Sequence, residues 1–255
     1  MAVSKRDNDK DFDLKNNKER DKMYGLFSNE QKEFFHSIQT NTFTFCESEA
    51  GTGKTLVATA SMLDLLANDD INKIVYLQKV SKRNIQNGFN PGTLEQKTED
   101  LWDPFYEAML DLGYIPPVVD MMIANELILL TTDSNLRGVN FKKVGLIIDE
   151  AENCDFETLK LIFTRCHDDC HITLIGDSKQ KDNPGGKNND FVLYGDYLVE
   201  NLKKRKANKC LLTRNFRGDF SKCAEMFFIS DYKKKKENKE SMVWFYCFNH
   251  YPLLG

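Results

Sequence analysis

The chain has 255 residues, 41% of them hydrophobic, and a formal net charge of -4, which is enough for one large domain with a packed core. Aromatic residues make up 11% of it, which argues against a wholly disordered protein. No apolar run approaches the roughly 20 residues that span a bilayer, and the N-terminal stretch lacks the apolar segment of a secretory signal. Seven scattered cysteines fit reduced thiols better than a disulfide framework. We therefore expect a soluble, cytoplasmic, globular protein.

Composition divides the chain into three parts. Residues 1–22 mix seven Lys/Arg with six Asp/Glu, a pattern that predicts a flexible charged arm. Residues 23–232 form the predicted globular domain. Residues 233–255 form a tail that is first basic and then dense in aromatic residues. The tail is too short to cross a membrane, and the sequence leaves open whether it docks on the domain or on a neighbouring subunit.

The middle part alternates β-rich and helical segments. Its first helix is predicted at residues 28–38, with Ser28 as the N-cap and with Phe34 and Phe35 on the inner face. Six β-rich runs follow at residues 42–46, 74–77, 127–130, 144–148, 171–175 and 210–213. Helical segments separate them at residues 55–66, 101–112, 156–165 and 195–206. This alternation predicts an α/β domain with a mainly parallel sheet that helices cover on both faces.

A glycine-containing loop follows the first predicted strand and leads into a helix. Its residues are Ser48, Glu49, Ala50, Gly51, Thr52, Gly53, Lys54 and Thr55. A strand, such a loop and a helix form a phosphate-binding loop, the Walker A motif; the alternative is a chance turn of small residues. Loop N–H groups and the helix N-terminus favour an anion, while Lys54 would reach the β- and γ-phosphates and Thr55 would ligate Mg²⁺. Because Ser48 replaces the usual glycine, the first turn must form without the conformational freedom of glycine.

Two acids, Asp149 and Glu150, follow the apolar run 144–148 directly. Charges at the end of so apolar a strand are costly unless a ligand uses them. Beside a phosphate loop, Asp149 would hold Mg²⁺ through its hydration shell and Glu150 would polarise the attacking water. The alternative is a solvated strand end that caps the next helix. The second acid favours hydrolysis over simple nucleotide storage.

A third motif is the run from Ile172 to Gln180, a predicted strand that ends in a Gly-Asp turn. Its final residue would lie at the carboxyl edge of the sheet, where ligands of open α/β sheets bind. The Gln180 amide would therefore lie near the γ-phosphate and could sense whether that phosphate is present.

Together these motifs resemble the PhoH-like family, phosphate-starvation-inducible ATPases related to superfamily 1 helicases. The resemblance covers about residues 26–220. Besides the phosphate loop it rests on GFNPG at 88–92 with Lys97, on LRG at 136–138 before LIIDEAEN, and on FTR at 163–165 before IGDSKQKD. It implies that residues 23–232 are a RecA-like ATPase domain with ATP and Mg²⁺ as ligands, coupled to RNA or single-stranded nucleic acid. It also places Gln31 where relatives have an adenine-reading glutamine.

The chain departs from the family pattern in three places. Ser48-Glu49 replaces Gly-Pro, Glu152 replaces Gln, and Gln78-Lys79 replaces Arg-Pro. The last two bear on coupling to nucleic acid more than on ATP binding.

The helicase relatives bind ATP between two RecA-like lobes, and arginines from the second lobe complete the site. This chain has room for one lobe, and a lone lobe would leave the γ-phosphate facing water, where electrostatic stabilisation is weak. We therefore expect a homo-oligomer, a head-to-tail ring for which a hexamer is one candidate, whose neighbouring subunit completes the site. Arg214 and Arg217 in TRNFRG, which resembles the helicase Asn-aromatic-Arg motif, are the first candidates, and Arg165 and Arg137 are the second.

Two kinds of sequence feature, the basic runs and the run 166–171, are each open to two interpretations. The basic runs 203–206 and 233–236 could contact nucleic-acid phosphates and Phe89 could stack on bases, or the lysines could be solvated faces. The run 166–171, CHDDCH, has residue types that zinc prefers, although its crowding favours a helix-to-strand turn. Two other functions also stay open: a P-loop kinase for a small molecule, and a nucleotide-binding scaffold that does not hydrolyse.

Overall fold

The computed structural model describes residues 18–79, 101–136, 138–179, 190–202 and 206–218. The chain groups into two compact units, Met1–Arg214 and Asn215–Gly255, and only residues 215–218 of the second are described. The predicted boundary after residue 232 and the predicted tail lie outside these ranges. Within the ranges, no helix is long and apolar enough to span a membrane.

A parallel sheet forms the centre of the first unit. Its six described strands are β1 Phe43–Glu47, β2 Lys73–Gln78, β3 Ile128–Thr132, β4 Val144–Asp149, β5 His171–Gly176 and β6 Ala207–Cys210. Their order across the sheet is β3-β2-β4-β5-β1-β6, and every pairing is parallel. The strand β5 therefore separates β1, which leads into the phosphate loop, from β4, which carries the acids. All carboxyl ends meet at one edge, which we call the carboxyl edge.

Helices cover both faces of this sheet. The described α-helices are α1 Lys18–Leu26, α2 Asn29–Thr40, α3 Lys54–Ala67, α4 Asp103–Asp111, α5 Pro116–Ala124, α6 Phe156–Phe163 and α7 Asp190–Asn201. Successive strand residues face opposite sides, so Ile74 and Tyr76 join the core beneath α2 to α5 while Val75 and Leu77 join the core beneath α6 and α7. Two buried faces explain the unbroken apolar strands. The predicted α/β class, a mainly parallel sheet that helices cover on both faces, is confirmed.

The start of α2 also follows the prediction. Ser28 is the N-cap, and its hydroxyl accepts a hydrogen bond from the backbone N–H of Gln31. The Gln31 side chain accepts one from the Ser28 N–H in return, which completes a capping box. Phe34 is fully buried and Phe35 is partly buried against the same core.

Four elements differ from the prediction. The helix α1 begins at Lys18, inside the stretch 1–22 that composition predicts to be flexible, because Arg20 is buried there within 4.0 Å of the Asp64 carboxylate. The pattern did not predict α5, which a proline pair opens. The last strand lies at Ala207–Cys210 instead of 210–213, since it pairs with β1 from Phe43 onward. The helix α7 begins at Asp190 instead of 195.

The position of Gly195 inside α7 has a packing reason. Gly195 lies inside this helix, and a Cβ there would come within 2.8 Å of the Phe45 ring. The glycine therefore permits a close approach between helix and sheet. A glycine inside a helix normally weakens it, but here it lies within α7, where the helix packs against β1.

Candidate nucleotide-binding site

The loop at residues 48–55 carries the chain from β1 into α3 at the carboxyl edge. Gly51 and Gly53 adopt φ of 75° and 82°, a region that glycine enters without a steric penalty. A Cβ on Gly53 would lie 2.7 Å from the Gln31 Nε2 atom. The turn therefore favours glycine at both positions, and at Gly53 the close approach of the Gln31 side chain favours it as well.

Ser48, the departure from the usual glycine, is not among the residues with positive φ. Its side chain is buried, and its Oγ accepts a hydrogen bond from the Leu212 N–H at 2.7 Å. Its own N–H donates to the Gly176 carbonyl at 3.1 Å. The turn thus forms without glycine, and the serine side chain ties the loop to the segment after β6.

Lys54, the first residue of α3, extends back over the loop. Its ammonium donates to the Ser48 carbonyl at 2.6 Å and to the Glu49 carbonyl at 2.8 Å. The Thr52 hydroxyl donates to the same Glu49 carbonyl at 2.9 Å. These bonds hold the positive charge of Lys54 within the loop, where a phosphate group would meet it.

The two predicted metal ligands, Thr55 and Asp149, are in direct contact. The Thr55 hydroxyl donates to Asp149 Oδ2 at 2.7 Å, and the Tyr76 hydroxyl donates to the same oxygen at 2.8 Å. Asp149 is only 4% exposed. A hydroxyl and a carboxylate are the hard oxygen donors that Mg²⁺ prefers, so these residues fit such an ion. Sequence reasoning missed Tyr76, because an apolar strand does not reveal where one hydroxyl points.

Glu150 differs from its neighbour in environment and backbone. It is exposed and adopts the left-handed conformation, with φ 48° and ψ 43°, at a cost of about 1–3 kcal/mol for a residue with a side chain. Its N–H donates to Asp149 Oδ1 at 2.8 Å. The sharp turn separates the two adjacent acids: Asp149 is buried against the start of α3, and Glu150 is exposed to solvent.

A second hydrogen-bond network joins β5 to the loop. Asp177 accepts bonds from the Ala50 N–H at 2.9 Å and the Lys179 N–H at 3.0 Å, and its own N–H donates to Glu152 Oε2 at 3.1 Å. Burial raises the pKa of Glu152 to about 7. A Cβ on Gly176 would lie 2.6 Å from Glu152 Oε2, so a larger residue there would displace this carboxyl. Sequence reasoning noted the Gly-Asp turn but assigned its role to Gln180, which lies outside the described residues.

Gln31, the predicted adenine-reading residue, contacts the phosphate loop. Its Nε2 donates to the Thr52 carbonyl at 3.1 Å and its Oε1 accepts from the Ser28 N–H at 3.0 Å. The side chain is buried. Gln31 thus fastens the start of α2 to the phosphate loop, and its reading of adenine stays a prediction.

Comparison with known proteins now decides the family. The family model described as PhoH-like protein matches residues 26–216. The chain belongs to the PhoH-like family. The resemblance predicted from the motifs is therefore confirmed.

Two relatives show how far this similarity extends. The PhoH-like protein of Mycobacterium leprae is 30% identical over 61% of this chain and 44% of its own. The PhoH-like protein of Mycobacterium tuberculosis is 30% identical over 67% of this chain and 48% of its own. The chain thus aligns with about half the length of these relatives. Among solved structures, the large terminase from a thermophilic bacteriophage aligns over 76% of this chain and 48% of its own, with a TM-score of 0.49 and 15% identity.

The predicted arginines of this PhoH-like protein occupy different surroundings. The Glu30 carboxylate accepts bonds from the Thr213 N–H at 2.7 Å and hydroxyl at 2.6 Å; these bonds hold the pKa of Glu30 below its usual value. They also fix the backbone next to Arg214, which is exposed. Arg217 is exposed too and belongs to the second unit.

Of the other two candidate arginines, Arg165 and Arg137, the structure describes the first. The Arg165 guanidinium donates to the Leu136 carbonyl at 2.6 Å and the Leu161 carbonyl at 3.2 Å, so it holds backbone groups of its own chain. Arg137 lies outside the described residues, as do Phe89, Lys97 and the basic residues at 203–205 and 233–236.

The segment 166–171 of this PhoH-like protein is the turn between α6 and β5. Its potential zinc ligands bond to separate carbonyl groups: Cys166 to Ile162 at 3.5 Å, Cys170 to Phe141 at 3.3 Å and His171 to Ile38 at 3.1 Å. These side chains therefore point to three different elements. In the described part of the chain, no group of three or more potential metal ligands comes together.

Proposed function

We propose that this protein is a Mg²⁺-dependent ATPase that hydrolyses ATP at the carboxyl edge of its sheet. The observation that carries this proposal is the 2.7 Å bond between the Thr55 hydroxyl and the Asp149 carboxylate. It joins the phosphate loop to the acid-bearing strand, 94 residues later in the chain. The residues proposed to bind phosphate and those proposed to bind the metal therefore lie next to each other.

Each residue has a definite role in this proposal. The loop N–H groups and Lys54 would bind the phosphates. Thr55 and Asp149 would hold Mg²⁺, which would supply neutralisation of phosphate charge. Glu150, open to solvent at the same edge, accepts a proton from the attacking water. Gln180 senses the γ-phosphate. The choice of ATP over GTP rests on Gln31 and on the family.

A neighbouring subunit completes the site in this proposal. The described residues place Lys54 within the phosphate loop, and a further cation on the γ-phosphate from the opposite side is worth roughly 10³–10⁵-fold in rate in other P-loop enzymes. Arg214 suits this role because it is exposed while Glu30 holds its neighbour Thr213. We therefore propose a head-to-tail homo-oligomer with Arg214, Arg217 or both acting across the interface.

Coupling to RNA or single-stranded nucleic acid is the remaining part of the proposal. It rests on the resemblance to superfamily 1 helicases. The expected consequence is faster ATP turnover when a single strand is bound, in the cytoplasm where such strands occur.

The test is steady-state phosphate release with Mg²⁺, with and without single-stranded RNA or DNA, over a range of protein concentrations. The variants are Lys54→Ala and Glu150→Gln, with Lys160→Ala as the control for loss of an exposed lysine on α6. Turnover should fall by roughly 10²–10⁴-fold in Glu150→Gln and be lost in Lys54→Ala, while Lys160→Ala keeps the parental rate. The double variant Arg214→Ala/Arg217→Ala should lose the rise of turnover per subunit with concentration.

Other outcomes would contradict parts of the proposal. Parental turnover in Glu150→Gln would exclude that residue as the base. Binding of Mg²⁺-ATP without turnover at any concentration would favour the non-hydrolysing scaffold. Transfer of the γ-phosphate to a small molecule, seen by product analysis, would favour the kinase.

A further inference from the structure

Tyr76 is a polar residue in the middle of an apolar strand. Its ring is fully buried, with the Phe105 ring centroid at 5.0 Å and the Trp102 centroid at 6.4 Å. A buried phenol hydroxyl needs a hydrogen-bond partner. Here the partner is the Asp149 carboxylate at 2.8 Å, so a residue of the core reaches the candidate metal site.

Gln78 fixes the direction of this bond. Its Nε2 donates to the Tyr76 hydroxyl oxygen at 3.0 Å, and its side chain is only 2% exposed. Gln78 lies two residues after Tyr76 on the same face of β2 and is the register partner of Asp149 on β4. Because the hydroxyl oxygen already accepts from Gln78, its single hydrogen is directed to the carboxylate.

Tyr76 and Thr55 donate to the same carboxylate oxygen but differ in what else they can do. Thr55 is partly exposed at the start of α3, next to the loop that would hold the phosphates. Tyr76 is completely buried, so it can hold the carboxylate without contacting a ligand. The carboxylate thus has one donor that would rearrange around an ion and one that would stay in place.

We propose that Tyr76, aligned by Gln78, is a positioning residue that holds the Asp149 carboxylate ready for the Mg²⁺ of a bound nucleotide. Hydrogen-bond partners that orient a metal-binding carboxylate are typically worth 10–100-fold in metal affinity. This inference rests on the proposed function only in requiring that the site binds Mg²⁺-nucleotide. Hydrolysis, nucleic acid and oligomer formation do not enter it.

The test compares nucleotide binding with and without the metal. Isothermal titration calorimetry with a non-hydrolysable ATP analogue, in Mg²⁺ and in EDTA, gives the factor by which Mg²⁺ strengthens binding. Tyr76→Phe removes one hydroxyl and keeps the ring. The matched control is Tyr24→Phe, which removes a hydroxyl that donates to the Ala60 carbonyl at 3.2 Å, in the same core.

We expect the Mg²⁺ factor to fall by roughly tenfold or more in Tyr76→Phe, with the Kd in EDTA unchanged and with the control at the parental factor. If the Tyr76 hydroxyl were purely structural, its loss would lower the thermal unfolding midpoint, as in the Tyr24→Phe control, and would leave the Mg²⁺ factor unchanged. An unchanged factor in Tyr76→Phe, or equal losses in Mg²⁺ and in EDTA, would therefore overturn the inference.

A second variant keeps the test decisive if Tyr76→Phe does not fold. Gln78→Met removes the donor that aligns the hydroxyl and should lower the Mg²⁺ factor by roughly threefold; no decrease would count against the inference. If the parent itself shows no Mg²⁺-dependent binding, the proposed function and the inference both fail. If the parent shows it and Tyr76→Phe keeps it, the inference alone fails.

Discussion

Two carboxylates at the carboxyl edge contact the phosphate loop, and they do so in different ways. Asp149, at the end of β4, accepts bonds from the side-chain hydroxyls of Thr55 and Tyr76. Asp177, just after the neighbouring strand β5, accepts bonds from the backbone N–H groups of Ala50 and Lys179. Burial does not distinguish the two carboxylates, since their exposures are 4% and 6%. They differ in their hydrogen-bond partners, which are side-chain hydroxyls for Asp149 and backbone N–H groups for Asp177.

This difference separates two tasks within one site. The side-chain bonds of Asp149 involve Thr55, whose hydroxyl would turn to an ion, so this network is suited to change when a ligand arrives. The backbone bonds of Asp177 fix the path of the loop itself. In the proposed function, separate contacts would therefore hold the metal ligand Asp149 and the shape of the loop, and substitutions should alter them separately.

The largest expected effect compares Asp149→Asn with Asp177→Asn. Loss of the Asp149 charge removes metal-dependent stabilisation of several kcal/mol, so kcat should fall by about 10³-fold. Asp177→Asn places an amide N–H against a backbone N–H, which costs about 1–3 kcal/mol in loop geometry and should raise the KM for ATP by about tenfold. Titrations of ATP and Mg²⁺ in a turnover assay separate these parameters. Equal effects of both variants on the same parameter would refute the division of tasks.

A smaller effect is expected from Glu152→Gln, which keeps an oxygen acceptor for the Asp177 N–H but removes the buried charge. The pKa of Glu152 is about 7 in the folded protein against an ordinary value of 4.5. Between these values the folded chain binds more protons than the unfolded chain, so the stability of the parent falls as pH rises and stays low above pH 7. The full difference amounts to about 3 kcal/mol.

The Glu152→Gln variant lacks this loss of stability, because its amide does not ionise. It should be more stable than the parent at pH 8, by up to that amount, and the advantage should shrink toward pH 5. Urea unfolding of both proteins at pH 5.5 and pH 8 measures this directly. An advantage that is the same at both pH values would contradict the buried titration of Glu152.

The smallest effect is expected from Ser48→Gly, which restores the usual loop glycine. The Leu212 N–H loses its acceptor, so the free energy of unfolding should fall by about 1–2 kcal/mol. The Mg²⁺ dependence should not change, because neither carboxylate network includes Ser48. Ser48→Ala is the control that removes the same oxygen without adding backbone freedom. A Ser48→Gly variant as stable as the parent would show that the tie to Leu212 contributes nothing.

Local patterns in the sequence determined much of this protein. The loop at 48–55, the paired acids after β4 and the covered parallel sheet follow from residue types within a few positions of one another. Since parallel strands bring their carboxyl ends to one edge, even the contact between Thr55 and Asp149 could be expected. The pattern failed at Gly195, where packing against Phe45 outweighs the low helix propensity of glycine.

Only the tertiary structure decided which other side chains meet at that edge. Tyr76 reaches Asp149 across 73 residues and Asp177 reaches Ala50 across 127. The first contact depends on β2 lying beside β4, and the second on β5 lying beside β1. Alternation of strands and helices specifies that a sheet forms but not the order of its strands. Hydroxyls and carboxyls in apolar runs or at their ends acquire their partners from that order, which is why the contacts of Tyr76 with Asp149 and of Asp177 with Ala50 became visible only in the fold.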